Sequence, residues 1–311
     1  MSPMRTRIVL VLACATLVLG SAQAGRLRDL MMQRRGGMPQ RYGTNVTLPP
    51  NVQVRRDVAY GGDPQQRMDI YMPAQAHGAP VILMVHGGGW RRGDKAMNNV
   101  VQNKLARWVP RGFVLVSVDY PMVPQADPVQ QARSVAQALG FAQRHAAEWG
   151  ADPRKFILMG HSAGAHLVSL ISAEPSMALS LGAQPWLGTV ALDSAAYDVA
   201  TIMRGRHLPL YDQAFGNAPA LWDAASPILQ LHGKIAPFLA VCSSRRQESC
   251  PQAQAFVDKA RDYGTRARVL AENLTHEEIN EQLGTPSDYT ARVEAFMASL
   301  DPSVAKALRQ E

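Results

Sequence analysis

Short runs of apolar β-forming residues alternate with longer segments of helical spacing along most of the chain. The runs predict eight strands, at 52–60, 67–71, 81–85, 113–118, 156–159, 189–192, 238–241 and 268–270. Segments with one apolar face predict helices at 98–111, 129–149, 163–173, 252–263 and 288–300. Because strands that alternate with helices form a mostly parallel sheet covered on both faces, the pattern predicts an α/β fold.

Two glycine-framed turns follow buried strands of this pattern. His86-Gly87-Gly88-Gly89-Trp90 follows the strand at 81–85, and Gly160-His161-Ser162-Ala163-Gly164 follows the strand at 156–159. A Gly-x-Ser-x-Gly turn between a strand and a helix is tight and exposes its serine at the edge of the sheet. The free N–H groups at the start of the following helix favour negative charge there. Ser162 is therefore predicted to be a nucleophile, the alternative being a Gly/Ser connection without reactivity.

The triple glycine predicts an oxyanion hole. Acyl transfer needs N–H donors aimed at an oxygen that becomes charged only in the transition state. We expect these donors to be the backbone N–H groups of Gly88, Gly89 and Ala163, and His86 to hold the loop in place. A phosphate-binding role is not supported, because neither a Gly-Lys-Ser/Thr sequence nor a spaced glycine fingerprint follows.

With these motifs the sequence resembles the α/β-hydrolase superfamily, specifically its hormone-sensitive-lipase-like and bacterial feruloyl-esterase-like carboxylesterases. The resemblance covers residues 54–300. It rests on both turns together with Gly93-Asp94-Lys95, Val118-Asp119-Tyr120, Ala165-His166 and Thr275-His276. It implies an eight-stranded sheet, and a nucleophile, an acid and a base in the chain order Ser, Asp/Glu, His, with the acid after the seventh strand and the base after the eighth.

This order locates the base and the acid. His276 follows the last predicted strand, so we expect it to be the base; a histidine that merely starts a helix is the alternative. The segment after the seventh strand contains no aspartate and one carboxylate, Glu248, which we expect to be the acid by its position. Other carboxylates remain open for this role: Asp193 after the sixth strand, Asp258 on the following helix, and Glu277 and Glu278 beside the base.

The N-terminus predicts export. Residues 1–24 contain Arg5 and Arg7, an apolar stretch from Ile8 to Leu19, and small residues at the end, as in a cleaved signal peptide. The apolar stretch, of about 12 residues, is too short to span a bilayer, so no stable membrane anchor is expected after cleavage. The mature protein is thus expected to be secreted or periplasmic.

Cleavage would leave two cysteines, Cys242 and Cys250, on either side of Glu248. In an oxidising compartment such a pair predicts a disulfide, whereas two reduced thiols are the alternative.

Composition fits one sizeable domain after this leader. The sequence is 47% hydrophobic, which excludes general disorder. Residues 25–50 contain several arginines and predict a flexible basic arm, and residues 51–311 are expected to form the α/β-hydrolase domain. The formal charge of +7 includes Arg5 and Arg7, and the sequence contains no nucleic-acid-binding motif. No nucleic-acid partner is therefore expected.

The longest stretch without strand character, residues 195–236, lies between the sixth and seventh predicted strands. Its aromatic and aliphatic residues predict either a small cap over the active site or short helices packed on the core. Trp90, Trp186 and Tyr197 are candidates to line a substrate pocket, although buried aromatic residues more often belong to the core.

Together these features predict a secreted serine carboxylesterase for small or medium carboxylic esters, which needs no cofactor or metal and takes a small-molecule ester as its partner. The resemblance extends to arylformamidases, so an amide hydrolase is one alternative. A catalytically silent relative that acts as a binding protein is another, because the expected acid loop departs from the family pattern.

Overall fold

The computed structural model describes residues 45–310. The predicted signal peptide 1–24 and most of the predicted arm 25–50 lie outside the described residues. The end of that arm contacts the domain: Val46 and Leu48 pack partly buried against the core. The backbone of Thr47 exchanges two hydrogen bonds with the Gln102 side chain, at 2.8 and 3.0 Å.

One eight-stranded sheet organises the described residues. Its strands are β1 Val52–Ala59, β2 Arg67–Pro73, β3 Ala79–Val85, β4 Val114–Val118, β5 Ala151–His161, β6 Gly188–Leu192, β7 Phe238–Ser243 and β8 Ala267–Glu272. They lie in the order β1-β2-β4-β3-β5-β6-β7-β8, with β1–β2 and β2–β4 antiparallel and the other pairs parallel. The predicted fold, a mostly parallel sheet of the α/β-hydrolase type, is confirmed.

Helices connect the parallel strands. They are α1 Asn98–Trp108, α2 Pro128–His145, α3 Ala163–Ala173, α4 Ser176–Leu179, α5 Val199–Arg204, α6 Pro209–Phe215, α7 Pro219–Ala224, α8 Pro227–Gln230, α9 Ser249–Asp262, α10 His276–Glu281, α11 Asp288–Ala298 and α12 Pro302–Leu308. The helix predicted at 129–149 ends at His145 and continues as a 3₁₀ turn, Ala146–Trp149. None of the helices within 45–310 has the length and apolar content needed to cross a bilayer.

The core lies on both faces of the sheet because side chains alternate along each strand. In β3, Val81, Leu83 and Val85 point into one apolar cluster, and Ile82 and Met84 point into the other. Both sets are completely buried, which explains why this strand is apolar at every position rather than at every second one.

The fold brings five chain segments to one edge of the sheet. The glycine loop follows β3, Ser162 follows β5, Asp193 follows β6, loop 243–249 follows β7, and His276 lies after β8. Since parallel strands end at the same edge, residues far apart in sequence meet there.

Candidate active site

Ser162 occupies a strained turn between β5 and α3. Its φ is 56° and its ψ is −118°, a backbone conformation that residues with a side chain rarely adopt. The flanking glycines permit this turn: a Cβ on Gly160 would lie 2.4 Å from the carbonyl oxygen of Gly164, and one on Gly164 would lie 2.2 Å from that of Val85. The backbone N–H of Ser162 donates to the Leu192 carbonyl over 2.9 Å, which ties the turn to β6.

The structure brings His276 to Ser162. The Ser162 hydroxyl donates to Nε2 of His276 over 2.8 Å. His276 is the first residue of α10, whose start is fixed by a capping box between Thr275 and Glu278. The Nε2–H of His161 donates to the His276 carbonyl over 2.9 Å, and the two rings lie 4.5 Å apart. Burial and the neighbouring His276 hold the pKa of His161 well below its usual value, so this second imidazole is neutral.

The carboxylate that contacts His276 is Asp193, and this corrects the expectation for Glu248. Nδ1–H of His276 donates to Oδ2 of Asp193 over 2.6 Å, because a carboxylate can only accept. Nε2 is thereby left unprotonated to accept from Ser162. Glu248 is exposed at the residue before α9 and makes no hydrogen bond to His276, since the next residue, Ser249, turns inward to Asp193.

Asp193 is completely buried and has a φ of 56°. Burial alone would raise its pKa, but the hydrogen bond from His276 and the positive charge of Arg246 outweigh burial and hold the pKa well below its usual value. The backbone N–H of Ser243 and the Ser249 hydroxyl also donate to Oδ1. Asp193 is therefore an ionised carboxylate with a donor for each oxygen.

The glycine loop faces Ser162 from β3. A Cβ on Gly87 would lie 2.9 Å from Cβ of Ser162, so only glycine allows this approach. Gly88 and Gly89 have φ of 122° and 61°. Within the described chain, the N–H groups of Gly88, Gly89 and Ala163 are not engaged in any backbone hydrogen bond, which leaves them available to a ligand oxygen beside Ser162.

Buried polar groups support the glycine loop through hydrogen bonds and ring stacking. The ring of His86 is completely buried, stacks on Tyr120 at 4.5 Å and donates through Nδ1–H to the Gly87 carbonyl over 2.7 Å. The Tyr120 hydroxyl donates to the His86 carbonyl over 2.9 Å. Beyond the loop, Nζ of Lys95 lies 2.7 Å from Asp57 on β1 and 3.5 Å from Asp119, the residue after β4, which ties the segment after the loop to these strands. His86 thus has the supporting place that the sequence predicts.

Trp90 joins the glycine loop to α3, the helix that follows Ser162. Its indole N–H donates to Nδ1 of His166 over 3.1 Å, and Nε2–H of His166 donates to the Ala225 carbonyl over 2.7 Å. Burial lowers the pKa of His166 to about 4, so the ring stays neutral and keeps this tautomer. Trp90 is only 4% exposed and packs against Phe215, which makes it a core residue at the border of the site.

The other two predicted pocket residues do not lie in a pocket. Trp186 precedes β6 and donates to the Thr189 hydroxyl over 3.1 Å, so it lies at the opposite edge of the sheet from Ser162. Tyr197 is 1% exposed and stacks on Phe256 at 5.0 Å. Both expectations are wrong because these rings fill the core, and their apolar character alone does not distinguish the two roles.

Residues 195–236 form the four short helices α5 to α8 over this edge of the sheet. Leu210 on α6 reaches the glycine loop, since a Cβ on Gly89 would lie 3.6 Å from its methyl group. Tyr211 on the same helix lies 5.9 Å from Trp90, and Arg91 hydrogen-bonds Gln213. These contacts place α6 against the glycine loop, as a small cap requires.

A buried lysine holds the helix that begins at His276. Nζ of Lys104 on α1 donates to the carbonyl and the side-chain oxygen of Asn280 on α10, at 2.7 and 2.9 Å. Lys104 is 1% exposed, and burial lowers its pKa to about 7 although the charge of Glu281 acts in the opposite direction. In the unfolded chain a lysine has a pKa of about 10.4.

This shift predicts a pH-dependent stability. Between pH 7 and the unfolded pKa, the unfolded chain binds a proton at Lys104 that the folded protein does not, so folding becomes more favourable as pH rises. A Lys104→Met variant lacks this dependence. Relative to the unmodified protein, this variant should be more stable at about pH 6 than at about pH 9, by on the order of 2 kcal/mol in the free energy of unfolding. Urea unfolding at both pH values measures this, with exposed Lys306→Met as the control; an equal difference at the two pH values would contradict it.

Within residues 45–310, no group of three or more histidine, cysteine or carboxylate side chains is arranged to hold a metal ion.

The sequence is similar to a known family model and to proteins that are named esterases. Residues 68–181 match the BD-FAE family model. The chain is 26% identical over 260 residues to the isoprenylcysteine alpha-carbonyl methylesterase ICME of Arabidopsis thaliana, covering 73% of this chain and 57% of that protein. It is 28% identical over 228 residues to the esterase LipC of Mycobacterium tuberculosis, covering 67% and 55%. The chain therefore spans little more than half the length of these two relatives.

Among solved structures, esterase B from Lactobacillus Rhamnosis superposes with a TM-score of 0.68 at 19% identity, covering 92% of this chain and 96% of that chain. At this identity the likeness establishes the fold.

Proposed function

We propose that the chain is a serine carboxylesterase of the α/β-hydrolase superfamily, with the triad Ser162, His276 and Asp193. The observation that carries the proposal is the unbroken line of hydrogen bonds from the Ser162 hydroxyl through His276 to Asp193. The glycine loop approaches the same serine at Gly87, and the N–H groups of Gly88 and Gly89 have no backbone acceptor within the described residues. This arrangement supplies a nucleophile, a base and an orienting carboxylate in one place.

In the proposed reaction, Ser162 Oγ attacks the ester carbonyl while Nε2 of His276 takes its proton. The carbonyl oxygen becomes an oxyanion, which the N–H groups of Gly88, Gly89 and Ala163 stabilise. Asp193 holds His276 in the required tautomer and stabilises the imidazolium. His276 then returns the proton to the leaving alcohol, whose departure leaves an acyl-enzyme. Water, deprotonated by the same imidazole, then attacks the acyl carbon. As the bond to Ser162 Oγ breaks, His276 returns this proton to Oγ, which releases the carboxylic acid and restores Ser162 and neutral His276.

The cap supports small or medium esters as substrates. Leu210 lies against Gly89, beside the proposed oxyanion hole, and Tyr211 packs towards Trp90 behind it. Apolar side chains this close to the reacting carbon favour a short acyl or alcohol group over a long chain. The plant relative is named a methylesterase, and a methyl ester has the smallest of alcohol groups.

A substrate series tests this proposal. Purified protein should hydrolyse p-nitrophenyl esters, with kcat/KM highest for acyl groups of about two to six carbons and falling for longer chains. The same acyl groups as p-nitroanilides, together with N-formylkynurenine, test the amide alternative. Faster turnover of the amides would replace the esterase with an amide hydrolase, and no turnover of any compound would favour a silent binding protein.

We also propose that the protein acts outside the cytoplasm. The support is the signal-like segment 1–24 and the bond between the sulfur atoms of Cys242 and Cys250. N-terminal sequencing of protein recovered from periplasm and medium should give a chain that begins at Gly25. A chain that keeps residues 1–24 and stays in the cytoplasm would contradict export.

A further inference from the structure

Loop 243–249 surrounds the carboxylate of Asp193 without contributing an acid itself. The Cys242–Cys250 disulfide bridges the two residues that flank the loop. From within it, the Ser243 N–H donates to Oδ1 over 2.7 Å and the Ser249 hydroxyl donates to the same oxygen. The segment after β7, where the family resemblance places the acid, therefore supplies donors to an acid on the neighbouring strand.

Arg246 is the charged member of this loop. Its Nη1 donates to Oδ2 of Asp193 over 2.7 Å and lies 3.2 Å from the Asp193 carbonyl oxygen. The same nitrogen lies 3.1 Å from Nδ1 of His276. Because Nδ1 uses its proton to bond Asp193, Arg246 cannot donate there, and its positive charge simply lies beside the imidazole. The side chain is 30% exposed, so it is held at the rim of the site rather than sealed inside it.

Other titratable groups lie near Asp193, His276 or Arg246. The neutral ring of His161 on β5 lies 4.5 Å from that of His276, tilted by 37°. Tyr211 on α6 and exposed Glu248 face the guanidinium, while Tyr197 and Tyr289 lie near Asp193 and burial raises the pKa of each of these two phenols. Lys104 acts on His161 from α1. Arg246 is thus the cation in contact with both the acid and the base within the described residues.

We propose that Arg246 is a positioning residue of the triad, which clamps the Asp193 carboxylate for His276 and opposes the uptake of a proton by His276. This inference rests on the proposed function. The clamp fixes the direction of the Asp193–His276 hydrogen bond, which favours turnover. The guanidinium also lies 3.1 Å from Nδ1 of His276, so removing its positive charge is expected to make protonation of the ring easier.

Variants at Arg246 separate these two effects. In Arg246→Met both the clamp and the charge are lost, so kcat should fall about tenfold and the acidic midpoint of kcat/KM should move up by about one pH unit. Arg246→Gln keeps a donor without the charge and should show the same upward shift with a smaller loss of kcat. Arg246→Lys keeps the charge and should restore the midpoint while kcat stays reduced. Exposed Arg245→Met, whose side chain bonds Asn273 and Glu278, is the matched control and should match the unmodified protein.

A titration without substrate tests the inference without measuring activity. NMR of the His276 imidazole, assigned with His276→Gln, should give a midpoint about one pH unit higher in Arg246→Met than in the unmodified protein. If that variant does not fold, Arg246→Gln and Arg246→Lys supply the comparison. Unchanged midpoints in the charge-removing variants, with only their melting temperature lowered, would overturn the inference. An unmodified protein that hydrolyses no ester would instead remove the proposed function, while the titration still decides the role of Arg246.

Discussion

Asp193→Asn should lower kcat/KM for a short p-nitrophenyl ester by about 10⁴-fold, whereas Glu248→Gln should leave it within about threefold. The reason is the tautomer of His276. An amide at residue 193 can turn its NH₂ towards Nδ1, which then accepts, and the proton moves to Nε2. A protonated Nε2 cannot take the proton of Ser162, although the geometry of the site is unchanged.

Glu248→Gln is the matched control for this change. It makes the same carboxylate-to-amide replacement one loop away, at an exposed residue without a hydrogen bond to His276. Steady-state kinetics of both variants, with circular dichroism to confirm folding, measure the difference. A large loss in Glu248→Gln together with a small one in Asp193→Asn would return the acid to the loop after β7 and overturn the triad described above.

Ser162→Ala should abolish turnover almost completely, by about 10⁶-fold in kcat, because it removes the atom that forms the acyl-enzyme. The variant should fold, and its free energy of unfolding is not expected to fall: alanine fits the space of serine and only one hydroxyl hydrogen bond is lost. Alanine at φ of 56° is no less strained than serine. Single-turnover kinetics and urea unfolding check the two parts.

A matched control for Ser162→Ala is Ser169→Ala on α3, the helix that follows Ser162; the Ser169 hydroxyl donates to the Ala165 carbonyl of its own helix. It should keep its activity. Residual hydrolysis by Ser162→Ala within about a hundredfold of the unmodified protein would mean that another group attacks the ester.

The sequence could predict those parts of the site that are formed locally. Ser162 and the glycine loop each lie on a strand, a turn and a helix or loop that are contiguous in the chain, so their apolar runs and glycines indicate them directly. The same holds for His276, which follows the last strand and starts a capped helix. The predicted strands all occur in the structure. In β3, β4, β6 and β7 every residue is buried, which requires the largely apolar runs that indicate these strands.

The acid could not be chosen in this way because several carboxylates follow strands, and only the sheet order decides which one reaches His276. Asp193 follows β6 directly, as Ser162 follows β5, and this position was its one sequence signal. The prediction that Trp186 and Tyr197 line a pocket was wrong for a related reason. Their rings pack on Thr189 and Phe256, contacts that depend on how distant segments dock rather than on local pattern.

Labelling of the nucleophile tests the central claim most directly. The unmodified protein is treated with a fluorophosphonate, and the remaining ester hydrolysis is followed while the adduct is located by peptide mass spectrometry. Covalent attack by a serine held against His276 and Asp193 predicts one adduct, on Ser162, and loss of hydrolysis in proportion to labelling. Full activity in fully labelled protein, or an adduct on a different residue that accounts for the lost activity, would contradict the account.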